Sequence, residues 1–551
     1  MPIAPAIRNA ISELGNRHVQ QMLMMPFTLP FAVSRFVREQ PSLDAVKAEL
    51  LCAMRTREKR FLDLVRDRVY GVPDSPYKKL LDHAGCTLAD IASGLDRQGL
   101  EATLEELAGA GVYLMPEEAK GRRDVVRGSL SFRLQPNDLT PPNQFGKTGG
   151  VTQSSGSSGK PRSGTASTDW WREEALSVAI YLQAHGLLSH RLAVYEPILG
   201  SLAGGLRFLL HAARLGIPGD RCFVRPTPAN NWLEALYFKL TAHEIALTAH
   251  WFGPGFAWPE TIPPERIDRI VRWVEQCRRA GENTCIRTVA SNAARIARVA
   301  NDIGASLEGC TFVASGEPMT PGKRRTIEKA GAAIAMLWGY MPIGIAGLGC
   351  ARPTHDSEMH LLRHSMAAIE HPQPILRPDG ETVRPLLFTT LFPFAPELEI
   401  NISNGDRGVL SERDCGCPLH AAGLTHHIHG IGSFEKLTSE GLAFSFDDIF
   451  ELIEVTLPER FGGSVGDYQL REEEASGGEG KLSLLVDPSV GPLDEAAVLR
   501  FLTEALASGS RNNLYMTNIW HESGTLRVLR EAPETSPRGK ILPIRKASRI
   551  D

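Results

Sequence analysis

At 551 residues the chain is too long for one compact core, and its 42% apolar and 23% charged residues are ordinary for a globular protein of roughly two to four domains. A net charge of −4 excludes a nucleic-acid polyanion held by a global basic field. Nine cysteines behind a start, MPIAPAIRNAISELG, that lacks a basic segment followed by an apolar one, point to reduced thiols in a cytoplasmic protein.

Residues 1–125 read as helical: Leu43–Val69 and Leu100–Ala110 carry apolar residues at helical spacing, interrupted at Gly71, Pro73 and Pro76. The apolar run Met22–Val37 has almost no basic polar face, which favours core or subunit packing, including a homodimer, over a membrane-surface anchor. From residue 126 short apolar runs alternate with helical patterns: LAVYEPIL, CFVRP, EIALTAHWF, TFVAS and PLLFTTLF read as strands of an α/β sheet. Ala330–Ala351 has no charge and the length of a membrane span. Its five glycines and Pro342 make it two buried strands with a turn instead, so no membrane span is expected. Residues 381–410 read as β-rich. After Gly430, FDDIFELIEVTLPERF (helix), DYQLREE and KLSLLVDP (strands), LDEAAVLRFLTEAL (helix) and TLRVLREAP (strand) predict a small α+β domain, with EEEASGGEGK as a hairpin loop.

The strongest local motif is SSGSSGKPR, Ser154–Arg162. Glycines allow close backbone approach to an anion, and hydroxyls and free N–H groups can cradle phosphate oxygens. A Ser/Gly run is also what a flexible linker looks like, but this one is short and precedes a helical pattern. The segment resembles the phosphate loop T-S-G-S-T-G-x-P-K of the acyl-adenylate-forming superfamily, in its phenylacetate–CoA ligase branch. Ser154 and Ser158 stand for the threonines, Ser155, Gly156, Ser157, Gly159 and Pro161 match, and Arg162 replaces the lysine. A second match closes the chain: Pro533, Thr535, Gly539 and Lys540 are in register with the family's P-x-T-x-x-G-K. The resemblance implies that Lys540 bridges carboxylate and α-phosphate during adenylation.

Two further segments agree. SNGDRG (Ser403–Gly408) resembles the ribose-binding turn, with Asp406 accepting from the ribose hydroxyls. ASGEPMTPGK (Ala314–Lys323) resembles the strand-turn beside adenine, with Gly316, Glu317 and Pro318 in place and Ser315 for the first glycine. One motif departs. Where the family has Y-G-x-[ST]-E, this chain has Trp338-Gly339-Tyr340-Met341-Pro342. Trp338 can supply the stacking ring, but the hydroxyl and the Mg²⁺-holding carboxylate are gone. Mg²⁺ can keep waters and use the ATP phosphates. The hinge G-R-x-x-D is also eroded, to HGIGSFEKLTSEG, with Glu435 and Lys436 near its place.

Cys350, His360, Cys415 and Cys417 offer three thiolates and an imidazole, the donor set of a closed structural zinc site. Their spacing is not Cys-x₂-Cys, and four unrelated residues are the alternative. The same branch has cysteines and a histidine in similar places. His355 rivals His360 as fourth ligand.

The resemblance therefore implies a helical N-terminal region (1–125), an α/β adenylation core (126–432) and a small mobile α+β C-terminal domain (433–551). The implied activity joins a small carboxylic acid to ATP as acyl-AMP and passes it to a thiol, CoA above others. The alternatives are an amine or carrier-protein acceptor, or a nucleotide-binding protein without catalysis.

Overall fold

Apolar residues at three- and four-residue spacing build the N-terminal helices: α1 (Arg17–Arg38), α2 (Leu43–Arg55), α3 (Arg57–Leu64), α4 (Pro76–His83), α5 (Leu88–Gln98) and α6 (Leu100–Gly109). The computed structural model describes residues 17–135, 138–140, 149–153, 163–197, 205–226, 232–316, 319, 321–340, 343–376, 382–433, 438–439, 442–443, 446–474, 480–507, 526–535, 539 and 541–546. The Ser42 side chain accepts the Ala45 N–H to start α2, Thr87 and Asp90 form a reciprocal capping box on α5, and Pro76 opens α4. Their apolar faces go to two different cores. Phe36, Val37, Val46 and Leu50 join the core of the large sheet. Phe61, Tyr77, Ile91 and Leu104 close instead over Leu387 and Ile400.

Two antiparallel pairs, β1 (Val125–Arg127) with β2 (Leu130–Phe132) and β3 (Gly149–Gln153) with β4 (Ser163–Ser167), lead into α7 (Thr168–Ala184). Then come β5 (Arg191–Glu196), α8 (Gly205–Arg214), β6 (Gly219–Val224), α9 (Trp232–Phe252), β7 (Pro259–Thr261), α10 (Asp268–Arg279), β8 (Thr284–Val289), α11 (Ala290–Asp302), β9 (Cys310–Ser315), α12 (Pro321–Lys329), β10 (Ala333–Tyr340), β11 (Gly344–Gly349) and β12 (Met359–Leu361). The hairpin β13 (Met366–Glu370) and β14 (Leu386–Thr390) follows, then β15 (Asp406–Glu412), the short α13 (Pro418–Ala421) and β16 (His426–Ser433).

The ten-stranded sheet runs β15-β16-β12-β11-β10-β9-β8-β5-β6-β7. Strands β5 to β10 are mutually parallel, and β10 to β12, β15 and β16 are antiparallel. Side chains alternate between its faces. Val194, Cys222 and Cys285 meet α7, α8 and α9 on one side, whereas Tyr195, Phe223 and Ile286 meet α10 and α11 on the other. The uncharged stretch Ala330–Ala351 is indeed two strands, β10 and β11, joined antiparallel. Among the described residues no helix is long and apolar enough to cross a membrane.

One expected strand is a helix. EIALTAHWF belongs to the 21-residue α9, not to the sheet. Among its described residues Ala242, Ile245, Ala246 and Ala249 are the buried apolar ones, beside the buried Thr241 and Thr248, a three- and four-residue spacing that a nine-residue apolar window hides.

The C-terminal part starts with α14 (Phe446–Glu451), continues through a wide helical turn into α15 (Leu457–Phe461), and forms the sheet β19-β18-β17-β20 from β17 (Tyr468–Glu474), β18 (Gly480–Val486), β19 (Leu526–Leu529) and β20 (Ile544–Lys546), with α16 (Glu495–Ala507) against it. Ile453, Leu470, Leu484, Val498 and Leu502 form its own core. It meets the large part through the buried pair Lys323–Glu454 (3.2 Å) and through Arg298–Asp467 (2.5 Å).

A carboxylate ties the N-terminal helices to the β12–β13 segment. Arg57 grips both oxygens of Glu101 (2.5 and 2.7 Å), and Arg363 adds a third contact at 3.0 Å. Burial opposes ionisation of Glu101, but the two guanidiniums outweigh it and hold its pKa down to about 2, against an ordinary 4.5. A depressed carboxyl pKa stabilises the fold above the ordinary value and loses that contribution as pH falls towards the folded one. Glu101→Gln is expected to cost about 2 kcal/mol at pH 7. Urea unfolding should show the gap to the wild type narrowing between pH 7 and pH 3; a gap independent of pH would refute this account.

Candidate active site and metal centre

The connections after β5 and β8 leave on opposite faces of the sheet, so the carboxyl ends of these neighbouring parallel strands border a crevice. Charged side chains line it. Arg287 on β8 reaches Glu196 at the end of β5 (3.1 Å), donates to the carbonyls of Thr288 (2.7 Å) and Val313, and donates to Ser315 Oγ at the end of β9. Arg225 follows β6 and is largely buried, which pushes its pKa down.

The chain's last loop is seated here. The buried Gln469 amide of β17 spans it: its Nε2 donates to the carbonyls of Glu534 (3.1 Å) and Leu542 (2.8 Å), and its Oε1 accepts the Glu534 N–H (2.8 Å). On the other side Arg225 donates to Thr535 Oγ1 (3.3 Å), and the Ile541 N–H approaches Ser291 Oγ (3.5 Å) at the start of α11. Gly539 has φ +80°, and a Cβ there would lie 3.0 Å from Arg225 Cδ. Thus Gly539 and Ile541 lie against Arg225 and Ser291, at the carboxyl ends of β6 and β8. Lys540 itself lies outside the described residues.

The other sequence candidates divide in the same way. Ser154–Gly159, Arg162, Glu317 and Pro318 fall outside the described residues; so do Met341, Pro342, Glu435 and Lys436. Gly316, with φ +85°, follows Ser315 at the crevice. Trp338 and Gly339 lie on β10, as does the backbone of Tyr340. The Trp338 ring packs on Phe388 at 5.6 Å. Gly408 lies on Leu386 and Ile428, so the strand of Asp406 shares a core with Trp338. Asp406 is held in an Asn404–Asp406 turn, with Asn404 Nδ2 donating to its carboxylate at 2.8 Å.

No protein-family model matches the sequence, and no curated protein matches it. Solved structures do. A 2-hydroxyisobutyryl-CoA ligase in the postadenylation state with 2-HIB-AMP aligns over 90% of this chain and 89% of its own, with a TM-score of 0.53 and 15% identity. The complex of the same ligase with R3-HIB-AMP gives a TM-score of 0.54 at 15% identity, over 90% of this chain and 89% of that one. The chain has the adenylate-forming ligase fold.

In this fold the turn between β10 and β11 carries the departed motif. Helix α7 holds it: Trp170 Nε1 donates to the Ile343 carbonyl (3.2 Å), and the buried Glu174 carboxylate accepts the Ile345 N–H (3.1 Å) while pairing with Arg207 of α8 (2.6 Å). Sequence reasoning missed Glu174, Glu196, Arg225, Arg287, Ser291 and Gln469. Only Arg225 and Glu196 carried a signal, as charges directly at the ends of expected strands.

A second centre lies across the sheet, where β12 meets the β15–α13 loop. The ligand atoms of Cys350, His360, Cys415 and Cys417 all lie within 4.8 Å of one another. A tetrahedron with metal–sulfur distances of about 2.3 Å has edges of about 3.8 Å; His360 Nε2 is 3.6 Å from Cys415 Sγ and 3.2 Å from Cys417 Sγ. His360 Nδ1 meets the Leu424 carbonyl at 2.6 Å, so Nδ1 carries the proton and the Nε2 lone pair faces the thiols. Burial and the neighbouring His427 lower its pKa to about 4, which keeps the imidazole neutral at pH 7. Burial works against the Cys417 thiolate, but N–H groups of His420, Leu419 and Ala351 outweigh it and lower the pKa. Burial drives the Cys350 thiol up to about 12. His355 is not in the cluster: its ring stacks on His429 at 3.9 Å. Behind the ligands, Glu358 joins Arg413 (2.6 Å), His427 (2.6 Å) and Thr354, and Arg413 reaches Cys350 Sγ at 3.8 Å.

This donor set fits one closed, four-coordinate soft-metal site. The purified protein is expected to carry about one zinc per chain, and Cys417→Ser to lose it along with several degrees of melting temperature. Metal analysis finding wild type and variant equally empty, with equal melting, would remove the centre.

Proposed function

We propose that the protein activates a small carboxylic acid with ATP as acyl-AMP and then passes the acyl group to a thiol, CoA above other acceptors. The observation that carries this reading is the seating of the 533–541 loop in the strand-end crevice. The loop bears a match to the lysine motif of adenylate-forming enzymes, and its glycine lies against Arg225. The similar solved ligase holds an acyl-AMP, which supports the same intermediate here.

In this reading the acid's carboxylate oxygen attacks the α-phosphorus and pyrophosphate leaves. Ser154–Gly159 and Arg162 hold the phosphates, Gly316, Glu317, Pro318, Trp338, Gly339 and Tyr340 border the adenine, and Asp406 accepts from the ribose. Lys540 donates to the carboxylate and the α-phosphate as charge builds between them. Mg²⁺ would be carried by the ATP phosphates and would supply charge neutralisation there, since Pro342 stands where the resembling motif has an acid. The zinc of Cys350, His360, Cys415 and Cys417 is structural, because four protein donors leave no open position. The small domain, from residue 433, turns between the two half-reactions.

A panel of carboxylic acids, assayed for pyrophosphate release, tests the activity, and adding CoA, a carrier protein or amines identifies the acceptor. No release with any acid, together with tight ATP binding, would favour a nucleotide-binding protein without catalysis. Lys540→Ala is expected to slow acyl-AMP formation by about 10²–10³-fold with unchanged melting. An unchanged rate takes this lysine out of the mechanism. Gly539→Val should impair the same half-reaction, because its Cβ meets Arg225 and φ +80° is strained for valine. Full adenylation by that variant would show the loop is not seated this way during the reaction.

A further inference from the structure

Well-exposed large apolar side chains are few in the described residues, and seven of the ten lie on two packed helices and the loop after the second: Phe31 of α1, Leu236, Leu240, Leu247, Trp251 and Phe252 of α9, and Trp258 beyond it. On α9 the positions 236, 240, 247 and 251 form one stripe, opposite the buried Ala242, Ile245, Ala246 and Ala249. Trp258 widens it, with its ring 6.4 Å from those of His243 and His250. Helix α1 packs along α9, with Arg38 stacked on Phe252 at 4.2 Å and Val37 against Gly253. Phe31 stands opposite α1's own buried face of Leu29, Val33 and Phe36, so α1 adds one outward aromatic ring beside the helix that bears the stripe.

The exposed area is large. Phe31, Trp251, Phe252 and Trp258 are 78, 75, 42 and 51% exposed, which leaves about 500 Å² of aromatic surface in water before the leucines are counted. Apolar patches on monomers rarely exceed a few hundred Å², whereas one side of a stable interface buries about 800 Å².

We propose that this face is the interface of a homodimer, with α9 of one copy packed on α9 of its partner about a two-fold axis. A stripe at four-residue spacing presents ridges that fit the grooves of an identical stripe, so the surface is complementary to itself and the contact closes. Its apolar character is that of the interior of homodimer interfaces. A membrane surface is the poorer occupant: α9 carries one lysine against two glutamates, and a helix lying on lipid needs a basic polar face. The consequence reaches the crevice, because α8 packs on both α1 and α9 and carries the Arg207 that pairs with Glu174.

Sedimentation of the full chain at micromolar concentration is expected to give twice the 60.3 kDa mass. Leu240→Glu and Trp251→Glu should each weaken the dimer at least tenfold, with unchanged circular dichroism, since both side chains lie in water in one copy. Ile303→Glu, a control at an exposed position elsewhere, should leave it intact. A monomeric wild type, or a dimer indifferent to both stripe variants, would overturn the proposal. So would a monomer that co-sediments with phosphatidylcholine–phosphatidylserine vesicles, which would assign the face to lipid.

Discussion

The site depends on a reversal in the order of the parallel strands. Because β6 is added on one side of β5 and β8 on the other, the segments leaving β5 and β8 part to opposite faces, which opens a crevice at their carboxyl ends. Arg287, Glu196 and Ser315 cross-link the strand ends, so the wall of the crevice is fixed before any ligand arrives. Arg225 and Ser291 then give the C-terminal loop a place to rest. One buried glutamine on the other body, Gln469, fixes the shape of that loop by bonding both of its ends. Among the described residues the loop meets the crevice wall through Thr535, Gly539 and the Ile541 N–H, while its stem is bonded within the small domain.

Much of this was legible in the sequence, and the reasons differ by element. The strands LAVYEPIL, CFVRP and TFVAS were readable because buried parallel strands are short apolar runs ended by polar residues. The terminal motif was readable because its glycine and lysine sit at fixed spacing. Helix α9 was misread where it is most apolar: EIALTAHWF is apolar on the outward face as well as the inward one, so the two-sided run imitates a strand. Gln469 was invisible, since nothing local distinguishes a glutamine that bonds residues 65 and 73 positions away. The four metal ligands were identifiable as donors, but their convergence needed β12 to pair with β16, which brings two distant loops together.

The departure at Met341–Pro342 gains meaning from what surrounds it. A turn without a metal-holding carboxylate lacks an electrostatic tether, and β10 and β11 flank it as an antiparallel pair with a register shift between Trp338 and Gly339. Helix α7 supplies the tether instead. Trp170 holds the carbonyl of Ile343 and Glu174 holds the N–H of Ile345, two bonds on either side of Gly344, where an added Cβ would meet Glu174 Oε1 at 2.3 Å. Glycine is therefore required at 344 by the closeness of the carboxylate as well as by its φ of +87°. Burial raises the Glu174 pKa, and Arg207 opposes that rise, so the carboxylate's charge is met inside the protein by a guanidinium. An acid neutralised in this way is not a cation ligand in waiting. It orients the turn from behind, beside the strand bearing Trp338 and Gly339.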